Sequence, residues 1–221
     1  RHTLPRNAFS VGGELGSVLL RSGRTFQPIS GRLRGDQQPW EQVQLWRTAA
    51  EVKKLLRLCS IGLLGNFYPG MCDIYVDATM LINLLGINLE ILEIADLRHA
   101  VERVTSEELE ECYRETTSAF ALDAKATREN LDWPCRVAAG MKRLVQEYAL
   151  DALAFHQRGY PGSPEHKIAY SMTLGGSFLT ARGIPCVAEG DVCAAIAMLM
   201  LGHLGGGASQ AEVNVADFGG G

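Results

Sequence analysis

The sequence has no excess of basic residues and no long hydrophobic run. Its 221 residues include 21 Lys and Arg against 25 Asp and Glu, which gives a net charge of −4. A chain with this charge lacks the basic surface by which proteins bind nucleic acid. No apolar stretch reaches the ~20 residues that a membrane-spanning helix needs. We therefore expect neither a nucleic-acid partner nor a membrane segment.

The six cysteines form no C-x-x-C pair. Most of them lie in apolar surroundings, which is typical of reduced thiols in the core of a cytoplasmic protein. We therefore expect a cytoplasmic protein without structural disulfides or a zinc site. The cysteines are Cys59, Cys72, Cys112, Cys135, Cys186 and Cys193.

Short apolar runs alternate with segments of helical periodicity from residue 46 onward. The runs are short and end at glycine or polar residues, as strands buried on both faces do. Strands that alternate with helices predict an α/β fold with a parallel sheet. The first 45 residues show no long apolar period. The predicted strands lie near 58–64, 88–94, 151–156 and 184–188.

The stretch "GIPCVAEGDVCAAIAMLML" places Glu189 and Asp191 between two apolar segments. Asp191 is explained as the N-cap of the helix that follows, because its side chain can accept backbone N–H groups of the first turn. Glu189 has no such role, and burying a lone carboxylate costs several kcal/mol. A metal ion or a network of substrate hydroxyls is the sharper explanation of Glu189, and the pattern alone leaves a purely structural role equally open.

Three predicted strands end in residues able to bind a ligand. These ends are 65–68, His156 with Gln157, and Glu189. Ligands of open parallel sheets bind outside the carboxyl ends of the strands, so the three groups are expected to converge on one crevice. A further acid, Glu212, follows the next helix and a "GGGAS" joint; its position alone favours a surface acid on an edge strand.

Residues 183–213, "GIPCVAEGDVCAAIAMLMLGHLGGGASQAEV", resemble the active-site segment of the L-fucose and L-arabinose isomerase superfamily. In that family a strand ends in Glu-x-Asp, and an apolar helix, a small-residue turn and a second acid follow. Two upstream segments, "IGLLGNFYPGMCDIYVDATMLINLLGINLEILEIADL" and "MKRLVQEYALDALAFHQ", are similar to the family's strand–helix units. "RNAFSVGGELG" is similar to its Gly-Gly loop between the first and second domains. The resemblance covers nearly the whole chain and is most specific at 183–212.

The resemblance implies an α/β fold with a Rossmann-like parallel sheet and helices on both faces. This would be the middle domain of a larger, three-domain isomerase subunit. Residues 1–45 would then be the end of the N-terminal domain and a linker, 46–204 the Rossmann-like domain, and 205–221 the start of the C-terminal domain. On this interpretation the chain is a segment of a longer subunit.

The resemblance also implies a metal-dependent aldose–ketose isomerase acting on a sugar of the L-fucose or L-arabinose type. Glu189 and Glu212 would be the catalytic residues and would bind a divalent metal, manganese in most of the family, with a histidine from the C-terminal domain. His156 and Gln157 would contact sugar hydroxyls. A homo-oligomer is expected, because the family builds its sites at subunit interfaces.

A second interpretation is a catalytically inactive sugar-binding or assembly module that shares the isomerase's middle domain. The two glutamates favour the enzyme. Val11 favours the inactive module, because arabinose isomerases have a histidine at that position.

Overall fold

The computed structural model describes residues 8–32, 34–156 and 159–211. The chain divides into two compact units between Ala50 and Glu51. This division lies five residues beyond the predicted boundary at 45/46. The assignment of 205–221 to a further domain stays a prediction.

The described part of the first unit contains one whole helix and most of a second. Helix α1 spans Ala8–Arg21, and α2, Gln38–Leu56, runs across the division between the units. The expected Gly-Gly loop in "RNAFSVGGELG" is therefore wrong from Ala8 onward. Val11, Leu15 and Val18 are spaced three or four residues apart, as on one face of a helix, and all three are exposed.

The second unit contains a four-stranded, all-parallel sheet in the order β2-β1-β3-β4. The prediction of a Rossmann-like parallel sheet is confirmed, with each strand inside or within one residue of its predicted range. The strands are β1 (Ser60–Gly65), β2 (Asn88–Leu92), β3 (Ala152–His156) and β4 (Cys186–Val187). The helices of this unit are α3 (Ala78–Leu85), α4 (Ile94–Glu102), α5 (Ser106–Ala119), α6 (Arg128–Glu147), α7 (Pro164–Ala169), α8 (Met172–Ala181) and α9 (Val192–His203).

Residues on both faces of the central strands β1 and β3 are buried, which is why these two strands are largely apolar. Leu64 and Leu153 point to one face, where they pack with residues of α4, α6, α7 and α8. Leu63 and Ala154 point to the other face and pack with α3, α9 and the last turns of α2. In the described part of the chain, no helix is both long and apolar enough to cross a membrane.

Two helical predictions differ from the structure at their ends. The segment "CRVAAGMKRLVQEY" predicts a helix that follows Pro134. Helix α6 begins earlier, at Arg128, because the Thr127 hydroxyl accepts the Asn130 N–H and caps an earlier turn. The segment "KIAYSMTLGGSFLTARG" (167–183) predicts one helix, but it is split between α7 and α8. The Ser163 side chain caps α7, which ends at Ala169, and α8 begins at Met172.

The adjacent glycines of α8 are expected to respond oppositely to alanine. A Cβ on Gly175 would lie 2.5 Å from Met141 Sδ and 3.0 Å from Ala138 Cα, so α6 would have to move. A Cβ on Gly176 would meet only Cys186 Sγ, at 3.3 Å. Because alanine stabilises a helix interior by about 1 kcal/mol over glycine, Gly176→Ala should be neutral or stabilising. Gly175→Ala should lower the free energy of unfolding by about 1–3 kcal/mol through overpacking.

Urea unfolding of the two variants measures this difference, with each serving as the control for the other. Equal changes in the free energy of unfolding would contradict the close contact between α6 and α8.

Candidate functional site

The carboxyl ends of β1 and β3 form the switch point of the sheet. The chain passes from β1 outward to β2, then returns to β3 on the other side of β1 and continues to β4. Gly65 at the end of β1 lies opposite His156 at the end of β3. A crevice forms where strand order reverses in this way, and it is the usual ligand site of open α/β sheets.

Backbone hydrogen bonds bring the three predicted strand ends together. The Asn66 N–H donates to the His156 carbonyl at 3.1 Å, which continues the pairing of β1 with β3. The Tyr68 N–H donates to the Glu189 carbonyl at 2.8 Å. The Tyr68 ring also packs on the His156 ring, with centroids 4.7 Å apart. His156 and Glu189 therefore lie at the same edge of the sheet, on either side of Tyr68.

The turn after β4 passes unusually close to the end of β1. Gly190 has a φ of +75°, and a Cβ on it would lie 2.5 Å from the Asn66 carbonyl oxygen and 3.0 Å from Phe67 Cα. Only glycine fits both the backbone conformation and the space. This contact fixes the position of the preceding residue, Glu189.

Glu189 itself has left-handed backbone angles, φ 64° and ψ 1°. Among the residues that the structure describes, Ala149 is the only other non-glycine residue with positive φ. This conformation is unfavourable for side chains with a Cβ, and such strain clusters at functional sites. Glu189 is half-buried. The position would favour glycine or asparagine if folding alone decided it.

Asp191 has the role predicted for it. Its Oδ1 accepts the Ala194 N–H at 2.8 Å and caps α9. The first turn of α9 therefore accounts for this carboxylate.

An open cavity of about 470 Å³ lies beside Glu189. Asp191 and Asp73 also line it, so three carboxylates share one space with apolar side chains of α9. Its other wall comes from the segment after α9, where the Gln210 Oε1 accepts the Ala188 N–H at 3.0 Å. The cavity combines acidic oxygens with an apolar wall, a composition suited to a polar ligand bound through a cation or through hydroxyl groups.

Asp73 and Gln210 were not predicted as site residues. From the sequence, either Asp73 or Asp77 could cap the helix that follows them, and the structure shows that Asp77 caps α3. Asp73 is therefore not needed as a helix cap, and this was the signal in the sequence that could have identified it as a site residue. Gln210 gave no signal, because its contact depends on how the chain returns after α9.

Two predicted site residues, Gln157 and Glu212, lie outside the described residues. Ala211 is described and lines the cavity that contains Glu189.

The donor atoms at this edge are carboxylate oxygens, which suit Mg²⁺ or Mn²⁺ better than softer metals. Glu189 is the predicted ligand that the structure describes, and Asp73 and Asp191 line the same cavity. Within the described ranges, no group of three or more His, Cys, Asp or Glu side chains is arranged to hold a metal ion. The carboxylate oxygens of Glu189, Asp73 and Asp191 suit a hard cation in chemistry.

No family model matches the chain, and no curated protein matches it.

Two substitutions at Glu189 separate its backbone strain from its carboxylate. Glu189→Gln and Glu189→Gly both remove the charge, but only glycine relieves the left-handed conformation. The free energy of unfolding of the glycine variant should therefore be about 1 kcal/mol higher than that of the glutamine variant. Thermal or urea unfolding of the two proteins side by side measures the difference. A glycine variant no more stable than the glutamine variant would show that the turn carries no strain at this residue.

Proposed function

We propose that this chain belongs to a metal-dependent aldose–ketose isomerase of the L-fucose/L-arabinose type and contributes its Rossmann-like domain. The observation that carries the proposal is Glu189. It is a half-buried residue in a strained turn, at the switch-point edge of a parallel sheet, and it lines a cavity with two more carboxylates.

The reaction moves a carbonyl group between C1 and C2 of a sugar. A proton leaves one carbon and joins the other, through an ene-diol whose oxygens gain negative charge as it forms. A carboxylate beside the two carbons can take the proton and return it as general base and general acid. Glu189 or Glu212 serves this step in the proposed mechanism. The apolar side of the cavity, including Met198 and Leu201 of α9, would limit the access of water to the reacting carbons.

Glu189 and Glu212 would hold the divalent cation, manganese on the family's pattern. When bound, the cation polarises the sugar carbonyl and stabilises the charge on the ene-diol oxygens. Asp73 lines the same cavity and adds negative charge that favours a cation there.

His156 and Gln157 would contact the sugar hydroxyls. The packing of the His156 ring against Tyr68 limits the orientations of the imidazole, and a fixed donor distinguishes hydroxyl stereochemistry better than a mobile one. The wider proposal includes a homo-oligomer in the cytoplasm.

Isomerase activity of the full-length protein against a panel of aldoses, with and without Mn²⁺, tests this function. The proposal predicts ketose formation from at least one L-fucose- or L-arabinose-type sugar that depends on added Mn²⁺. Calorimetry with the same sugars provides the comparison. Saturable sugar binding without conversion would instead support the inactive sugar-binding module.

A further inference from the structure

Gln210 links the segment after α9 to the turn that carries Glu189. Its Oε1 accepts the Ala188 N–H at 3.0 Å, across 22 residues of sequence. Gln210 is half-buried, and Ala188 directly precedes Glu189. Because the donor is a backbone N–H, the oxygen end of the Gln210 amide is the end that contacts the turn.

The Ala188 N–H belongs to the outer edge of the sheet. Strand β4 pairs with β3 on one side. On the other side the Cys186 N–H donates to Thr180 Oγ1 at 3.2 Å, and two residues further along the Ala188 N–H donates to Gln210. An edge strand presents such a row of backbone donors to its surroundings. Side-chain oxygens therefore take the place that a further strand would have here.

The turn that carries Glu189 is also held from the end of β1. The Tyr68 N–H donates to the Glu189 carbonyl at 2.8 Å, and Gly190 lies against the Asn66 carbonyl oxygen. These contacts accompany the left-handed conformation of Glu189, which has a φ of 64°. The bond from Gln210 adds a contact at the residue before Glu189. The turn is therefore held both by the end of β1 and by the segment after α9.

The segment 208–211 depends on such contacts for its own position. The glycine-rich link 205–207 joins it to α9, and a Cβ added to any of these three glycines would meet nothing within 4 Å. The link therefore has open space around its α-carbons and does little to hold the segment. Ala208 packs against the core cluster on the α9 side of the sheet, and Gln210 supplies the hydrogen bond. All four residues of the segment line the cavity beside Glu189.

We propose that Gln210 is a positioning residue for a cation bound at Glu189. Through the Ala188 N–H it joins the strained turn to the segment 208–211, so that both line one cavity before the cation binds. Groups that are already in place lose less conformational freedom on binding, which strengthens the affinity. This role rests on the proposed function, because the cation is part of that function.

Three variants of the full-length protein test this role. Gln210→Met keeps the length of the side chain and removes the acceptor. Gln210→Glu keeps an oxygen that can accept the Ala188 N–H. Gln44→Met is the matched control, because the Gln44 Oε1 accepts the Arg47 Nε–H at 2.8 Å on α2, in the first unit.

Hydrogen-exchange mass spectrometry reports on the turn, and a Mn²⁺ titration reports on the site. In Gln210→Met the Ala188 N–H should exchange at least tenfold faster, while peptides from β1 and β3 exchange as in the unmodified protein. The affinity for Mn²⁺ should fall at least tenfold in the same variant. Gln210→Glu and Gln44→Met should keep the slow exchange at Ala188 and at least the unmodified affinity. Because methionine and glutamate are both close to glutamine in length, a role in packing alone does not predict this difference.

The proposal is overturned if Gln210→Met binds Mn²⁺ as tightly as the unmodified protein, or if Gln210→Glu loses as much affinity as Gln210→Met. Equal exchange at Ala188 in all the proteins would also overturn it. Absence of Mn²⁺ binding in the unmodified protein would instead contradict the proposed function. The exchange at Ala188 would then still decide whether Gln210 holds the turn.

Discussion

Replacing Glu189 by glutamine is expected to abolish Mn²⁺-dependent isomerase turnover while leaving the fold intact. Glutamine keeps the size and hydrogen bonding of the side chain but can neither hold the cation by charge nor accept the substrate proton. The loss of a positioned acid–base group typically costs about 10²–10⁴ in rate, and loss of the cation adds to that. We expect at least a hundredfold lower kcat/KM in the full-length enzyme, measured with the aldose that the panel identifies.

The same change at Glu14 provides the control. Glu14 is exposed on α1, and Glu14→Gln should retain activity. Circular dichroism and thermal unfolding of both variants check the fold. Normal metal-dependent activity in Glu189→Gln would show that the wrong carboxylate was chosen, and Asp191 would be tested next.

Gly190→Ala is expected to be the most destabilising of the glycine substitutions in this site. Its Cβ would meet backbone atoms, the Asn66 carbonyl oxygen at 2.5 Å and Phe67 Cα at 3.0 Å, in a conformation with φ +75°. Backbone cannot move aside as a side-chain end can, so strain and overpacking add. We expect the free energy of unfolding to fall by about 3 kcal/mol.

Gly183→Ala isolates the backbone part of this effect. Gly183 has a similar φ of +81°, but nothing lies within 4 Å of the added Cβ. Its alanine variant should lose only about 1 kcal/mol. Equal losses at Gly183 and Gly190 in urea unfolding would contradict the close approach of the β4–α9 turn to the end of β1.

The sequence predicted the sheet well, because the central strands β1 and β3 are short apolar runs with buried residues on both faces. A run such as "SIGLLG" has no other stable place in a protein of this size, and the helices between the runs require parallel pairing. Residues that begin or end a helix can also be predicted from the sequence. Asp191 and Gly86 act within a few residues of themselves, as the cap of α9 and the end of α3.

The features that were missed depend on contacts between distant segments or on weak local signals. Asp73 and Gln210 reach the cavity beside Glu189 only because the sheet brings their segments together. No spacing in the sequence predicts the contact between the Tyr68 and His156 rings. Nor does it predict the steric clash that excludes a Cβ at residue 190. Helix α1 was missed because its glycines weigh against a helix while its apolar spacing favours one.

A titration with Mn²⁺ tests most directly whether a cation binds at Glu189. The electron paramagnetic resonance signal of free Mn²⁺ measures the binding. The account predicts that the full-length protein binds Mn²⁺ saturably. Affinity for Mn²⁺ should fall as the pH is lowered, because protons compete for the carboxylates. It should fall at least tenfold in Glu189→Gln and not in Glu14→Gln. Equal Mn²⁺ affinity in the unmodified protein and Glu189→Gln would contradict the account.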